Sequence, residues 1–366
     1  MHVLDIVKPD GRRLTLYGRE PVTDVGPVLV PAERPEAANP HLRWHPLRGE
    51  WVAYAAHRQA RTFLPPPDYD PLRPGADPRQ PTELPTGRYD VAVFENLFPA
   101  LTSAAHDPPS LAVRTAPARG RCEVVVFTQD PDATLGTLPD AHAELLVRVW
   151  ADRTRRLARE ADVSYVLPFE NRGTAMGVTL HHPHGQIYGY PFVPPVPARM
   201  HELESAHWAS AGRTLLGELV AQEMAAGNRV VVDSDLAVAF VPAWARYPFE
   251  VWVAPREPCA FLHDLDDGGL RDLAQALQSV VRGYDRLFQK PMPYVMAWYQ
   301  APTDGRPHPG CHLHAEFLPI YRARDKLKHL AGTELAGGMF ASDVLPEDAA
   351  ARLRAAVADI ADAPAR

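Results

Sequence analysis

The chain has 366 residues, enough for two domains or one large duplicated unit at roughly 150 residues per domain. Hydrophobic residues at 46% and charged residues at 23% exclude wholesale disorder, and a net charge of −7 excludes nucleic-acid binding by a general basic face. Asp5, Lys8 and Asp10 interrupt the start, no run of about 18 apolar residues occurs, and the three cysteines are scattered, so no leader, membrane span or disulfide framework is expected and the chain reads as soluble and cytoplasmic.

Trp51–Ala56 (WVAYAA) reads as a strand. Proline, 39 of 366 residues, is densest at Pro65–Pro85, which reads as a long irregular loop because proline fixes φ and removes a donor. Strand-like runs follow at Tyr89–Leu101 and Cys122–Asp130, rich in β-branched and aromatic residues. From Leu138 to Glu160 the pattern turns helical, with Leu145, Leu146, Val149, Trp150 and Leu157 near a 3.6-residue period. The strand SYVLPFENRG and a segment containing HHPHGQIYGYPF complete the first half.

The order then repeats. Leu236–Glu257 reads as two strands around a turn, Asp266–Phe288 as a helix, and PYVMAWYQAP and CHLHAEFLPIY as two more strands. Seventeen residues lead from Tyr165 to His182 and 18 from Tyr294 to His312, each half ending in His-x-His. An internal duplication follows: an α+β fold of two halves, 1–195 and 196–366, with antiparallel sheets covered by helices.

The strongest chemical signal is His182-Pro183-His184-Gly185-Gln186. A histidine near neutrality presents a lone pair that can attack phosphorus, splitting one transfer into two easier steps. On a strand, His182 and His184 would emerge side by side. Gly185 admits a phosphate close to the backbone, and Gln186 donates a hydrogen bond but cannot act as a base near pH 7.

These residues, with HLRWHPLRGEWVAYAAHRQAR, VFENLFPAL, FENRGTAMGVTLHHPHGQIYGYPF and KLKHLAGTE, resemble the galactose-1-phosphate uridylyltransferase family, within the histidine-triad superfamily, over nearly the whole length. The resemblance implies a ping-pong transfer of UMP between a UDP-sugar and a sugar 1-phosphate through a uridylyl-histidine at His184, with His182 and Gln186 completing the catalytic motif. It also implies nucleotide and phosphate contacts from Arg58, Arg61, Asn96, Asn171, Gly177, Thr179 and Gln186. Lys328 and Glu334 match sugar-phosphate contacts that reach the other subunit's site, so a homodimer is implied, with small-molecule substrates and neither nucleic acid nor membrane as partner.

Several positions depart from the family. Its structural zinc site takes two cysteines, a histidine and the first histidine of HPH; here Asp70, Arg73 and Pro131 stand at three of these and only His182 remains. One ligand cannot close a tetrahedral site. We therefore expect no zinc and no other cofactor, with Asp70 and Arg73 forming an ion pair in its place, His182 included. A second family site uses a carboxylate and three histidines; His312 and His314 are present, but Tyr299 replaces a histidine and the carboxylate falls near Met200, with Glu202 two residues on. His312 and His314 then read as relics of the duplication, and Cys311 as a small buried residue. Leu97, His329 and Gly338 replace residues near the ribose and sugar, which relaxes sugar discrimination. Two other readings stay open: a UTP-dependent sugar-1-phosphate uridylyltransferase acting on an unusual sugar, and a catalytically inactive nucleotide-binding relative.

Overall fold

The computed structural model describes residues 1–31, 38–60, 66 and 69–361, without the side chains of Ala60 and 359–361. A hairpin opens the chain, β1 (His2–Val7) and β2 (Arg13–Gly18). Then come β3 (His41–His45), β4 (Glu50–Tyr54), β5 (Val91–Glu95), β6 (Thr115–Pro117), β7 (Arg121–Val126), helix α1 (Asp140–Leu157), β8 (Tyr165–Arg172) and β9 (His184–Tyr190). The second half holds α2 (Pro195–Ala211), α3 (Leu215–Ala226), β10 (Val230–Asp233), β11 (Ala237–Phe240), β12 (Val251–Pro255), α4 (Asp267–Leu287), β13 (Tyr294–Tyr299) and β14 (His314–Pro319). Short β15 (Tyr321–Ala323) and β16 (Lys326–Leu327), α5 (Gly332–Leu335) and α6 (Pro346–Ala361) end it.

Among the described residues, eleven strands form one sheet in the order β1-β2-β5-β7-β9-β8-β13-β14-β12-β11-β10. Outward from the central pair β8–β13, one side reads β9, β7, β5 and the other β14, β12, β11, so the repeated order becomes a mirrored one. The expected α+β class with antiparallel pairing holds, and the sheets of the two halves are joined at a seam where Tyr294–Ala297 pair with Phe169–Arg172.

One face of the sheet carries α1 and α4, which pack on each other. Strand alternation sends Val125, Val166 and Ile187 to that side, into the same core as Leu146 and Val149 of α1, and the helical period of Leu273, Leu277, Val280 and Tyr284 turns α4 onto β11 and β12. Trp150 of α1 sits edge-on between Phe127 and Trp298, so it bridges both halves at full burial. Each such large side chain contributes roughly 1.5–3 kcal/mol by leaving water. α4 starts where the Asp266 side chain caps the Gly269 N–H at 2.8 Å.

The Pro-rich segment is irregular wherever it is described, and buried charges tie it down. Glu83 takes Lys8 and Arg12 together, and Tyr69 donates to the Pro81 carbonyl at 2.7 Å. Strands 3, 4 and 6 make a separate small sheet.

Candidate functional site

His184 is the first residue of β9, and the strand alternates from there. Gly185, Ile187 and Gly189 are buried, whereas His184, Gln186, Tyr188 and Tyr190 share the half-buried opposite face. The glycine after His184 is obligatory: a Cβ there would lie 2.8 Å from the Phe169 carbonyl oxygen and 3.1 Å from the Phe127 ring. His184 Nδ1 meets the His182 carbonyl at 2.8 Å. A carbonyl only accepts, so Nδ1 carries the hydrogen and Nε2 of the neutral ring carries the lone pair.

His182 does not stand beside it as expected. It precedes the strand in a bend, is 2% exposed, and points inward. Its Nδ1 lies 2.6 Å from Asp70 Oδ2 and its Nε2 2.8 Å from the Thr128 carbonyl oxygen. Both neighbours are acceptors, a carboxylate on one side and a backbone carbonyl on the other. Burial pushes the Asp70 carboxyl up, but His182 and the Leu72 N–H outweigh it and hold Asp70 below the usual carboxylate range. The partner expected for Asp70 was Arg73; Arg73 instead gives its backbone N–H to the Asp70 carbonyl at 3.2 Å. Compact imidazole reaches the carboxylate from the strand side, so the pair forms across the fold rather than within the loop.

Around this centre the remaining residues divide. Arg58, in a 3₁₀ turn at Ala56–Ala60, donates to the Tyr188 hydroxyl at 3.3 Å, which brings its guanidinium to the face of Gln186 and His184. Arg61 lies outside the described residues. Asn171 is half-buried on β8, the neighbour of β9. Gly177 closes a 3₁₀ turn at φ 76°, and Thr179 is buried shortly before His182. Asn96 folds its side chain onto the Phe98 N–H at 2.8 Å and lines, with Leu97, Arg12 and Arg121, a cavity of about 370 Å³. Lys328 and Glu334 pair at 3.0 Å, which draws Glu334 down to about 2. Their hydrogen bonds run within residues 320–341.

The second half repeats the hydrogen bonds of the first. His314 Nδ1 meets the His312 carbonyl at 3.1 Å, and His312 Nε2 meets the Pro255 carbonyl at 2.9 Å. What differs is the space above the ring. By register, Trp252 stands opposite Glu316 where Val124 stands opposite Gln186. Trp252 and Tyr299 stack on His314 at 4.7 and 5.3 Å, and Glu316 holds Arg246 at 2.6 Å. Aromatic side chains thus fill in the second half the room that the first half leaves over its histidine.

Sequence reasoning missed a cluster beside this repeat. His201 and Glu204 are three apart on α2, on the face that also presents Pro197 and Met200 to a small cavity. Glu202 turns away and pairs with Arg199. Cys311, read as a mere small buried residue, lies 3.2 Å from His201 Nδ1. The i, i+3 spacing of two ligand types was the available signal.

Comparison with known proteins gives matches in both halves. Residues 32–194 match the family model for the galactose-1-phosphate uridyl transferase N-terminal domain, and 200–363 that for its C-terminal domain. The chain is 36% identical over 322 residues to a galactose-1-phosphate uridylyltransferase of Thermotoga maritima, covering 86% of this chain and 97% of that one. It is 36% identical over 365 residues to one of Streptomyces lividans, covering 96% of each. A solved uridylyltransferase structure superimposes with a TM-score of 0.79 at 33% identity over 87% of this chain and 99% of its own.

The expectation of no metal and no cofactor is corrected by these findings. The matched family is one whose usual members carry metal, and ligand atoms of His201, Glu204 and Cys311 all lie within 4.8 Å of one another. The residues at the family's zinc positions do not fit that ion, since Asp70 and His182 are two donors and Arg73 and Pro131 supply none, too few to close a tetrahedral site. The His-Glu-Cys set does offer nitrogen, oxygen and sulfur donors of the kinds zinc takes.

Proposed function

The chain belongs to the galactose-1-phosphate uridylyltransferase family, and from that premise we propose how it moves UMP between a UDP-sugar and a sugar 1-phosphate. The Nε2 lone pair of His184 attacks the α-phosphorus of the UDP-sugar. An N–P bond forms, the bond from the α-phosphorus to the bridging oxygen breaks, and the sugar 1-phosphate leaves with that oxygen and its electron pair. A second sugar 1-phosphate then attacks the same phosphorus, the N–P bond breaks, and the electron pair returns to Nε2. No net proton transfer is required in either half, which suits a site with glutamine at position 186.

The observation that carries this reading is the fixed tautomer: the His182 carbonyl holds Nδ1–H, so the nucleophilic nitrogen is the one turned away from the backbone. His182 and Gln186 complete the motif, His182 by anchoring that carbonyl. Arg58, Arg61 and Gln186 neutralise phosphate oxygens, Asn96, Asn171, Gly177 and Thr179 contact the nucleotide, and a forked guanidinium suits that task. Lys328 and Glu334 serve the sugar phosphate of a partner subunit's site, in a cytoplasmic homodimer whose two halves divide at 195/196.

Incubating the protein with UDP-glucose radiolabelled at the α-phosphate should place one acid-labile UMP per chain on His184, identified by mass spectrometry. No labelling of wild-type protein, or equal turnover by His184→Asn, would overturn the proposal. A second reading, UTP as donor with an unusual sugar, is favoured by Gly338, where the contact to sugar hydroxyls is missing and nothing lies within 4 Å of a Cβ position. UTP labelling His184 faster than UDP-glucose does would select it.

A further inference from the structure

Three donors from two separate segments converge beside the second half's histidine pair. His201 and Glu204 come from α2, and Cys311 comes from the loop that leads into β14. The Nδ1–Sγ separation of 3.2 Å is close to the roughly 3.5 Å edge of a tetrahedron with zinc–nitrogen and zinc–sulfur bonds of about 2.0 and 2.3 Å. The cavity they line is small, about 10 Å³, room for one ion or one water.

Glu204 accepts from the Cys311 thiol and the His312 backbone N–H, and neither neighbour carries a positive charge. Among the described residues no lysine or arginine pairs with Glu204, and burial pushes both the Glu204 carboxyl and the Cys311 thiol up. His312, 2% exposed, lines the same cavity with an Nδ1 that has no hydrogen-bond partner, while its Nε2–H is held by Pro255. A half-buried acid, a thiol and an imidazole lone pair around a small, partly open space are what a cation would satisfy. The sulfur donor selects against hard ions such as Mg²⁺ and Ca²⁺.

We propose that His201, Glu204 and Cys311 bind one thiophilic divalent cation of the zinc class, which pins α2 to the approach of β14. Binding releases the Cys311 thiol proton to solvent and forms a metal–sulfur bond, with a water in the fourth position. The donors are not at the positions that the family pattern assigns to metal, and the proposal is independent of the transfer reaction at His184.

Cobalt is the probe. The full chain, stripped by chelator and titrated with Co²⁺, should take up one ion per chain with a thiolate-to-cobalt charge-transfer absorption, and Zn²⁺ should displace it. Cys311→Ser should abolish that absorption. His201 is only half-buried, so His201→Gln keeps the fold and should weaken Co²⁺ binding at least tenfold, while Asp70→Asn should leave it unchanged. Failure of wild-type protein to bind stoichiometrically, a band that survives Cys311→Ser, or unaltered affinity in His201→Gln would each overturn the site.

Discussion

Single atoms decide the chemistry of β9. A methyl group at position 185 would run into the Phe169 carbonyl oxygen, which is backbone and cannot rotate away. Gly185→Ala should therefore shift His184 and lower kcat by about 10²-fold, the usual cost of a misplacement near 1 Å; steady-state kinetics beside a thermal melt would separate this from unfolding. Asp70 gives a pH signature. Its carboxyl is held below the ordinary value of about 3.9, so its contribution to stability is present above that value and is lost as pH falls through the lower folded value. The stability gap between wild type and Asp70→Asn should narrow as pH falls below 5 and close in strongly acidic buffer, as denaturant titrations across that range would show.

Elements show what the amino-acid order conveyed and what it hid. The helices at 138–160 and 266–288 were legible because their apolar period is long, and the structure trims them to Asp140–Leu157 and Asp267–Leu287. The paired His-x-His segments were legible from spacing, but their first histidines lie outside the strands, because His182 and His312 turn inward to backbone carbonyls. The β1–β2 hairpin went unread: β1 is nearly all exposed and so carries little hydrophobic contrast, although Gly11 at φ 85° marks the turn. The His201–Glu204–Cys311 cluster was hidden for another reason, since 110 residues separate His201 from Cys311 and only folding joins them. Trp252 belongs to this scale too. Its ring fills the place over His314, so Trp252→Ala should cost about 3–5 kcal/mol in urea unfolding and leave labelling of His184 by UDP-glucose intact.

At the scale of the whole molecule the β8–β13 seam is the joint between the halves. Glu170 on β8 accepts from the Tyr294 hydroxyl of β13 at 2.9 Å in full burial, and desolvation raises its carboxyl to about 7. The unfolded chain ionises Glu170 near 4.3 while the native one keeps the proton, so this residue weakens the fold as pH rises from there to about 7. Glu170→Gln should match wild type near pH 4 and exceed it in melting temperature at pH 8, and equal melting at both would refute this account. Arg172 and Asp285 add a two-bonded ion pair alongside, both contacts at 2.8 Å.

Because that joint includes a run of backbone hydrogen bonds beside its side-chain contacts, neither half has a finished border when alone. Cut the polypeptide in the loop after Tyr190 and each fragment would expose a raw ribbon of amides and carbonyls where its sister belonged. Co-expressed pieces should therefore find each other and regain turnover, whereas either piece made singly should precipitate or self-pair.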